Sequence, residues 1–435
     1  MLFRDTVKVE ENNHLFIGGI DCQSLAKEYG TPLYVMDQTH IEKMCGVYNN
    51  ALKNNGINGK IFYASKAFSC KEIYRLAEKH GLGADIVSGG ELFTAASVNF
   101  CPENIIFHGN NKTEREISDA LEYGIGYFVI DSEEEATLID KYAKEKGVIQ
   151  KVLIRVNPGV EAHTHHYIQT AKIDSKFGFS ISNGDAEEII NRVLKFKNLS
   201  LKGLHCHIGS QIFEKKSFEI AVDKMTDFYK LLKTEHGLSL EVLNLGGGFG
   251  IFYSEGDYDF GYSDYAEYIN VICEKLKTNC KEKGLSIPYL MLEPGRSLVG
   301  EAGITLYTVG CVKRIKNVKN YAAIDGGMFD NPRFALYQAK YTVKNALEIN
   351  PKGKTEIYTI AGKCCESGDI IAEDCVLPTL KRGDILAVFS TGAYNYSMAS
   401  NYNRNTVPPV VFVKDGKARI VVKPQTYADL IKNDV

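Results

Sequence analysis

Between Ile61 and Leu292, eight short β-rich apolar runs recur, with helix-like stretches filling the gaps between them. The runs are Ile61–Ala64, Ala84–Val87, Ile105–Phe107, Tyr127–Ile130, Val152–Val156, Gly203–His207, Val242–Leu245 and Tyr289–Leu292. Segments such as Cys70–His80 and Ser132–Lys146 carry the helical material. Strands alternating with helices indicate parallel βαβ units, and about eight of them point to a (β/α)8 TIM barrel. A doubly wound open sheet gives a similar pattern, so the strand count leaves both architectures open.

After Arg296 the texture changes. Val309–Val312, Tyr321–Gly327, Ile385–Phe389 and Val410–Val413 read as short strands between Gly, Asn and Asp turns, with a hairpin expected at Asp415-Gly416. The opening segment, including Leu15–Gly19, is strand-like and is expected to pair with this C-terminal sheet. The expected domains are a barrel over 33–296 and a β-sandwich or barrel-like domain from 1–32 and 297–435.

Either part is large enough to bury a proper core in a chain of 435 residues. With 44% apolar and 24% charged residues, the composition is that of an ordinary globular protein. A formal net charge of -3 offers no bulk attraction to nucleic acid or anionic membranes. No apolar run reaches the roughly 18 residues of a spanning helix. Met1–Glu11 lacks the basic-then-apolar order of a signal peptide, so the cytoplasm is the expected location. The 11 cysteines suggest no disulfide framework, and adjacent Cys364 and Cys365 suit neither an ordinary disulfide nor zinc-ligand spacing. His163, His165 and His166 invite a metal reading, but no carboxylate or cysteine at helical spacing joins them, and no metal is expected.

Functional residues of a barrel sit just after its strands, on the C-terminal face. Lys66 follows the first run, His207-Ile208-Gly209-Ser210 the sixth, Gly246–Gly250 the seventh and Glu293-Pro294-Gly295-Arg296 the eighth. Three successive glycines expose backbone N–H groups as phosphate binding requires, although a tight turn asks for glycine too. A lysine ending an apolar strand is ordinarily a solvated surface residue, but one with a lowered pKa forms an imine with a carbonyl. Glu293 could serve a surface salt bridge with Arg296, or keep a pyridine nitrogen protonated so that the ring accepts carbanion electrons. His207 could stack on such a ring or be a buried, hydrogen-bonded histidine. Amine, phosphate cradle and ring-nitrogen acid together describe a site for pyridoxal 5'-phosphate.

At these residues the chain resembles the alanine-racemase-type, or fold type III, pyridoxal-phosphate decarboxylases, and among them the diaminopimelate decarboxylases. The likeness runs along nearly the whole chain. It is carried by Tyr63-Ala64-Ser65-Lys66-Ala67, His108-Gly109-Asn110-Asn111-Lys112 and Arg155–His165, then His207–Gln211, the triple glycine and Glu293–Arg296. Asn331–Tyr337, Cys365–Asp369 and Gly392-Ala393-Tyr394 complete the ordered series.

The resemblance implies decarboxylation of meso-2,6-diaminopimelate to L-lysine. Lys66 would hold the cofactor, His207 would face its ring and Glu293 would pair with its nitrogen. Asp85, Ser210, Gly248, Pro294, Gly295, Arg296 and Tyr394 complete the implied cofactor site. Arg296, Arg333, Tyr337, Glu366 and Tyr394 are the implied substrate contacts, and Cys365 the proton donor. A homodimer is implied, with Cys365 and Glu366 reaching the other subunit's site. Phe334 stands where many relatives have proline, and Lys363-Cys364 where a proline-containing stretch is usual; both put local loop shape in doubt rather than the reaction. The competing readings are a decarboxylase for ornithine, arginine or carboxynorspermidine, a non-catalytic cofactor-binding regulator on the same fold, and, more distantly, a metal hydrolase.

Overall fold

A computed structural model describes residues 3–160 and 175–435. The Glu161–His165 part of the motif, and the three histidines weighed as a metal site, lie outside the described residues. The chain divides into two compact units, Met44–Gly250 with Phe260–Gly295, and Met1–Lys43 with Ile251–Asp259 and Arg296–Val435.

The first unit is a closed barrel. Its strands are Gly59–Ala64, Gly83–Ile86, Ile105–Phe107, Tyr127–Ile130, Gln150–Asn157, Leu199–His205, Val242–Asn244 and Tyr289–Leu292. Each pairs in parallel with the next, and the eighth returns to the first at Leu290↔Gly59. Closure removes the open-sheet alternative. In its interior Phe62, Ile106, Val129, Leu153, Val242 and Met291 meet in one apolar cluster. Local signals set the helix ends. Glu114–Tyr123 opens on a Thr113/Glu116 capping box and closes on Gly124 in the left-handed region. Glu133–Lys146 has three acids in its first turn and Lys144 and Lys146 in its last, matching the helix dipole.

The sixth strand shows how tightly neighbouring barrel strands approach. A Cβ at Gly203 would lie 1.8 Å from the Val242 carbonyl oxygen, so backbone must move to admit any side chain. Gly203→Ala is expected to destabilise the protein by about 2–3 kcal/mol. Chemical denaturation would measure it, and an unchanged midpoint would rule out this account of the packing.

The second unit is built on a nine-stranded sheet whose central strand, Gly303–Ile315, pairs antiparallel with Lys319–Ile324, Ile385–Phe389 and Leu33–Asp37. The expected Asp415-Gly416 hairpin joins Val410–Lys414 to Lys417–Val422. Asp415 has φ 51° and Gly416 φ 72°, as a two-residue turn of this hand demands.

Two expectations differ from the structure. The expected barrel begins at residue 33, yet Leu33–Asp37 is a fully buried strand held between Gly303–Ile315 and Val410–Lys414. Nothing local distinguishes a buried strand of one sheet from that of another; its partners decide. Leu15–Ile17 joins no ladder of the large sheet, and instead forms a three-stranded sheet with Lys8–Val9 and Ile20–Asp21. Its ties to the C-terminal part are the Leu15 N–H, which donates to the Ala346 carbonyl oxygen at 2.8 Å, and the core, where Leu15 and Ile17 pack among Ile304, Leu306 and Val413.

Candidate functional site

In the barrel unit the turn after the first strand presents Lys66. The strand ends at Ala64 and a single 3-10 turn, Ser65–Ala67, exposes the lysine between two buried neighbours. Ser65 Oγ donates to the Asp85 carbonyl oxygen at 2.7 Å, and Tyr63 donates to that of Phe68 at 2.7 Å. These bonds fix the turn on both sides.

Glu293 lies at the centre of a buried polar group. Asn244 Nδ2 donates to its Oε1 at 2.6 Å, His108 Nε2 donates to the same oxygen at 2.8 Å, and His205 Nε2 stands 3.3 Å from Oε2. Burial alone would raise this carboxyl, but His108 and His205 hold it well below the usual range, so it is ionised. Asp85, 4% exposed, is pushed up to about 6 by burial, against the pull of His108 and Lys66. Among the described residues, neither its Oδ1 nor Nδ1 of His205 has a hydrogen-bond partner. The half-buried imidazole of His207 is lowered by burial and, secondarily, by the Lys66 charge, so its ring is neutral.

The glycines bring three loops into backbone contact. A Cβ at Gly247 would meet the Glu293 carbonyl oxygen at 2.1 Å, and one at Gly248, where φ is 108°, that of Gly209 at 2.4 Å. At Gly295 it would meet Ala64 at 2.9 Å. Ser210 is half-buried in the loop that meets Gly248, and Pro294 accepts a bond from the Ala64 N–H at 3.2 Å. Both earlier readings of the glycines, a turn and a phosphate cradle, require this close approach. An exposed lysine amine, an ionised buried carboxylate, a flat neutral imidazole and a glycine-walled loop cluster fit pyridoxal phosphate.

In the β unit, Arg296, Arg333 and Tyr394 come together around two tyrosines. Arg296 Nη1 donates to Tyr253 at 2.5 Å, and Arg333 Nη1 donates to Tyr341 at 2.8 Å, whose hydroxyl donates onward to Asn395 Oδ1 at 3.3 Å. The two guanidinium carbons lie 5.7 and 4.9 Å from the Tyr253 ring centre, and that of Arg296 is 4.7 Å from the Tyr394 ring. Arg333 is 7% exposed and has no carboxylate partner among the described residues. Tyr337 ends the short helix that Arg333 begins. Cys365 and Glu366 stand on another, exposed loop: Asn403 Nδ2 donates to Cys365 Sγ at 3.3 Å, and Tyr402 donates to Glu366.

His108 stands in one of the motifs that carry the resemblance but has no expected role there, and His205, Asn244, Tyr253 and Tyr341 are not among the expected site residues. Asn244 left a signal, as the one polar residue ending an apolar strand, whereas His205 ends a strand that also carries Ser200 and Lys202. Tyr253 and Tyr341 left none.

His205 also makes a pH prediction. Its ordinary value of 6.5 is lowered to about 3 by burial, only partly offset by Glu293. The unfolded chain therefore takes this proton near 6.5, while the folded protein refuses it until about 3. Stability from this group is full above 6.5 and declines as pH falls through that window, by roughly 1.4 kcal/mol per pH unit. Unfolding midpoints measured across pH 6.5 should fall less steeply in His205→Asn than in the parent. Equal slopes would refute the burial argument.

Comparison with known proteins adds the family. The sequence pattern of the "Pyridoxal-dependent decarboxylase, pyridoxal binding domain" matches residues 38–300. The diaminopimelate decarboxylase of Bacillus subtilis is 48% identical, over 100% of this chain and 98% of that one. That of Staphylococcus aureus is 50% identical, over 99% of each. Among solved structures, diaminopimelate decarboxylase of M. jannaschii in complex with L-lysine superposes with a TM-score of 0.92, at 38% identity, covering 100% of this chain and 99% of that one.

Proposed function

Because this chain belongs to the pyridoxal-dependent decarboxylases, we propose that it converts meso-diaminopimelate to L-lysine and carbon dioxide. Its cofactor is pyridoxal phosphate, which supplies an electron sink for the charge left when carbon dioxide departs. Lys66 holds the cofactor through its amine. Glu293 keeps the ring nitrogen protonated because three donors keep Glu293 itself ionised. His207 presents a neutral flat face to the ring, and Asp85, Ser210, Gly248, Pro294, Gly295, Arg296 and Tyr394 complete its surroundings. Cys365 delivers the proton from Sγ to the carbon that lost its carboxylate.

The observation that carries the substrate assignment is the buried Arg333, which has no carboxylate partner among the described residues. A buried cation without a counter-charge is costly, and a ligand carboxylate relieves that cost. Diaminopimelate has a second carboxylate to offer; ornithine and arginine have none. Arg333 and Arg296 grip it, with Tyr394 and Tyr337 beside it, while Glu366 accepts the distal ammonium. Cys365 and Glu366 act across a homodimer, in the cytoplasm. Their exposure within one chain supports a role toward a second copy.

The test is to load the purified protein with cofactor and supply meso-diaminopimelate, ornithine, arginine and carboxynorspermidine in turn. Carbon dioxide and L-lysine from diaminopimelate are expected, with the others far slower. Preference for any other substrate would overturn the assignment, and no release from any would favour a non-catalytic regulator.

A further inference from the structure

Glu293 has unequal oxygens. Oε1 accepts two short bonds, from Asn244 and His108, whereas among the described residues Oε2 meets His205 alone, at 3.3 Å. The carboxylate is thus clamped by one oxygen, and the other keeps capacity for a further donor. His108 also has a second acid beside it, with Asp85 Oδ1 at 3.7 Å from the same Nε2. Its ring stands edge-on to that of His205, with centres 4.6 Å apart. All of these groups are buried, so an error in placing one is felt by the rest.

Three elements lock the imidazole in place. His108 follows the third barrel strand, and its backbone N–H donates to the Ile86 carbonyl oxygen at 2.8 Å, on the strand that carries Asp85. Lys112, four residues on, is buried with its amine bonded to the carbonyls of Gly109 and Val129 and to Glu135 at 2.7–2.9 Å. The loop that bears His108 is therefore pinned at both ends.

We propose that His108 is a positioning residue for the cofactor's ring nitrogen: it fixes Glu293 through Oε1, separates it from Asp85, and leaves Oε2 to serve the ring. This rests on the assignment of Glu293 to that nitrogen. Without His108, Glu293 loses one of two anchors on Oε1 and faces a second carboxyl with no imidazole between them. The two acids then compete for protons, and the ring nitrogen loses a reliably ionised partner.

The experiment uses the holoenzyme reconstituted with cofactor labelled with nitrogen-15 in its ring. The ring resonance and steady-state kinetics are compared for the parent, His108→Gln, His108→Leu and His108→Asn. A Gln amide nitrogen reproduces the position of Nε2; an Asn amide, one carbon shorter, stays polar without doing so. The parent and His108→Gln should keep the resonance of a protonated ring. His108→Leu and His108→Asn should move toward the unprotonated position, with kcat reduced roughly 10- to 100-fold, the range for losing a partner that orients a key ligand. If His108→Leu does not fold, His108→Asn decides. An unmoved resonance in the folded donor-less variant would overturn the proposal, as would equal losses in Gln and Asn. So would a stoichiometric metal ion on His108, His205 and Glu293, whose ligand atoms lie within 4.8 Å of one another. An unprotonated ring in the parent would instead refute the assignment of Glu293.

Discussion

Lys66→Ala is expected to lower turnover by roughly 10³-fold or more, the scale for removing a group that carries a covalent step. The fold should survive, because the side chain is exposed and its neighbours Ser65 and Tyr63 hold the turn without it. Borohydride reduction followed by peptide mapping should place the cofactor label on Lys66 in the parent and nowhere in the variant. A label on another lysine of the parent would end the reading of this site. The same variant tests the dimer. If Cys365 serves the other subunit, mixing Lys66→Ala with Cys365→Ala chains should restore activity that neither has alone, since a mixed pair assembles one complete set of groups. Failure to complement, with mixed dimers demonstrated, would confine the site to one chain.

Arg333→Ala should cost about 3–5 kcal/mol in transition-state binding, roughly two to nearly four orders of magnitude in kcat/KM on diaminopimelate. The magnitude follows from burial. Arg333 is nearly enclosed, bonded to Tyr341 and stacked against Tyr253, so its charge is weakly screened. Truncation leaves the distal carboxylate of the substrate in that surrounding with Arg296 alone. Lysine substitution should recover only part of the loss, because an ammonium cannot offer the planar fork that two carboxylate oxygens accept. Near-parental efficiency of Arg333→Ala would remove the arginine from substrate recognition and the main support for diaminopimelate over ornithine.

The strands and helices of the barrel were legible because their signal is local. Apolar runs of strand length, separated by helices with their own caps, need no partner to be recognised, and Thr113/Glu116 and Ser132 mark their helices in the sequence itself. The loop positions of Lys66, Gly248 and Glu293 followed from the strand ends. The surroundings of Glu293 were not legible in this way. His108, Asn244 and Glu293 end or follow the third, seventh and eighth strands, and only closure puts them within hydrogen-bond reach. Tyr253 is the same case in the other unit: it belongs with Arg296 and Arg333 by contact, while its place in the chain follows a barrel strand.

What the chain determines by itself is the set of elements and the chemistry at their ends, because hydrophobic period, capping and turn residues act over a few neighbours. Tertiary structure alone decided that the sheet closes, that Leu33–Asp37 joins the β unit, and that Glu293 is ionised. Strand pairing, burial and charge depend on groups tens to hundreds of residues apart, and their energies exist only once folding has set the distances.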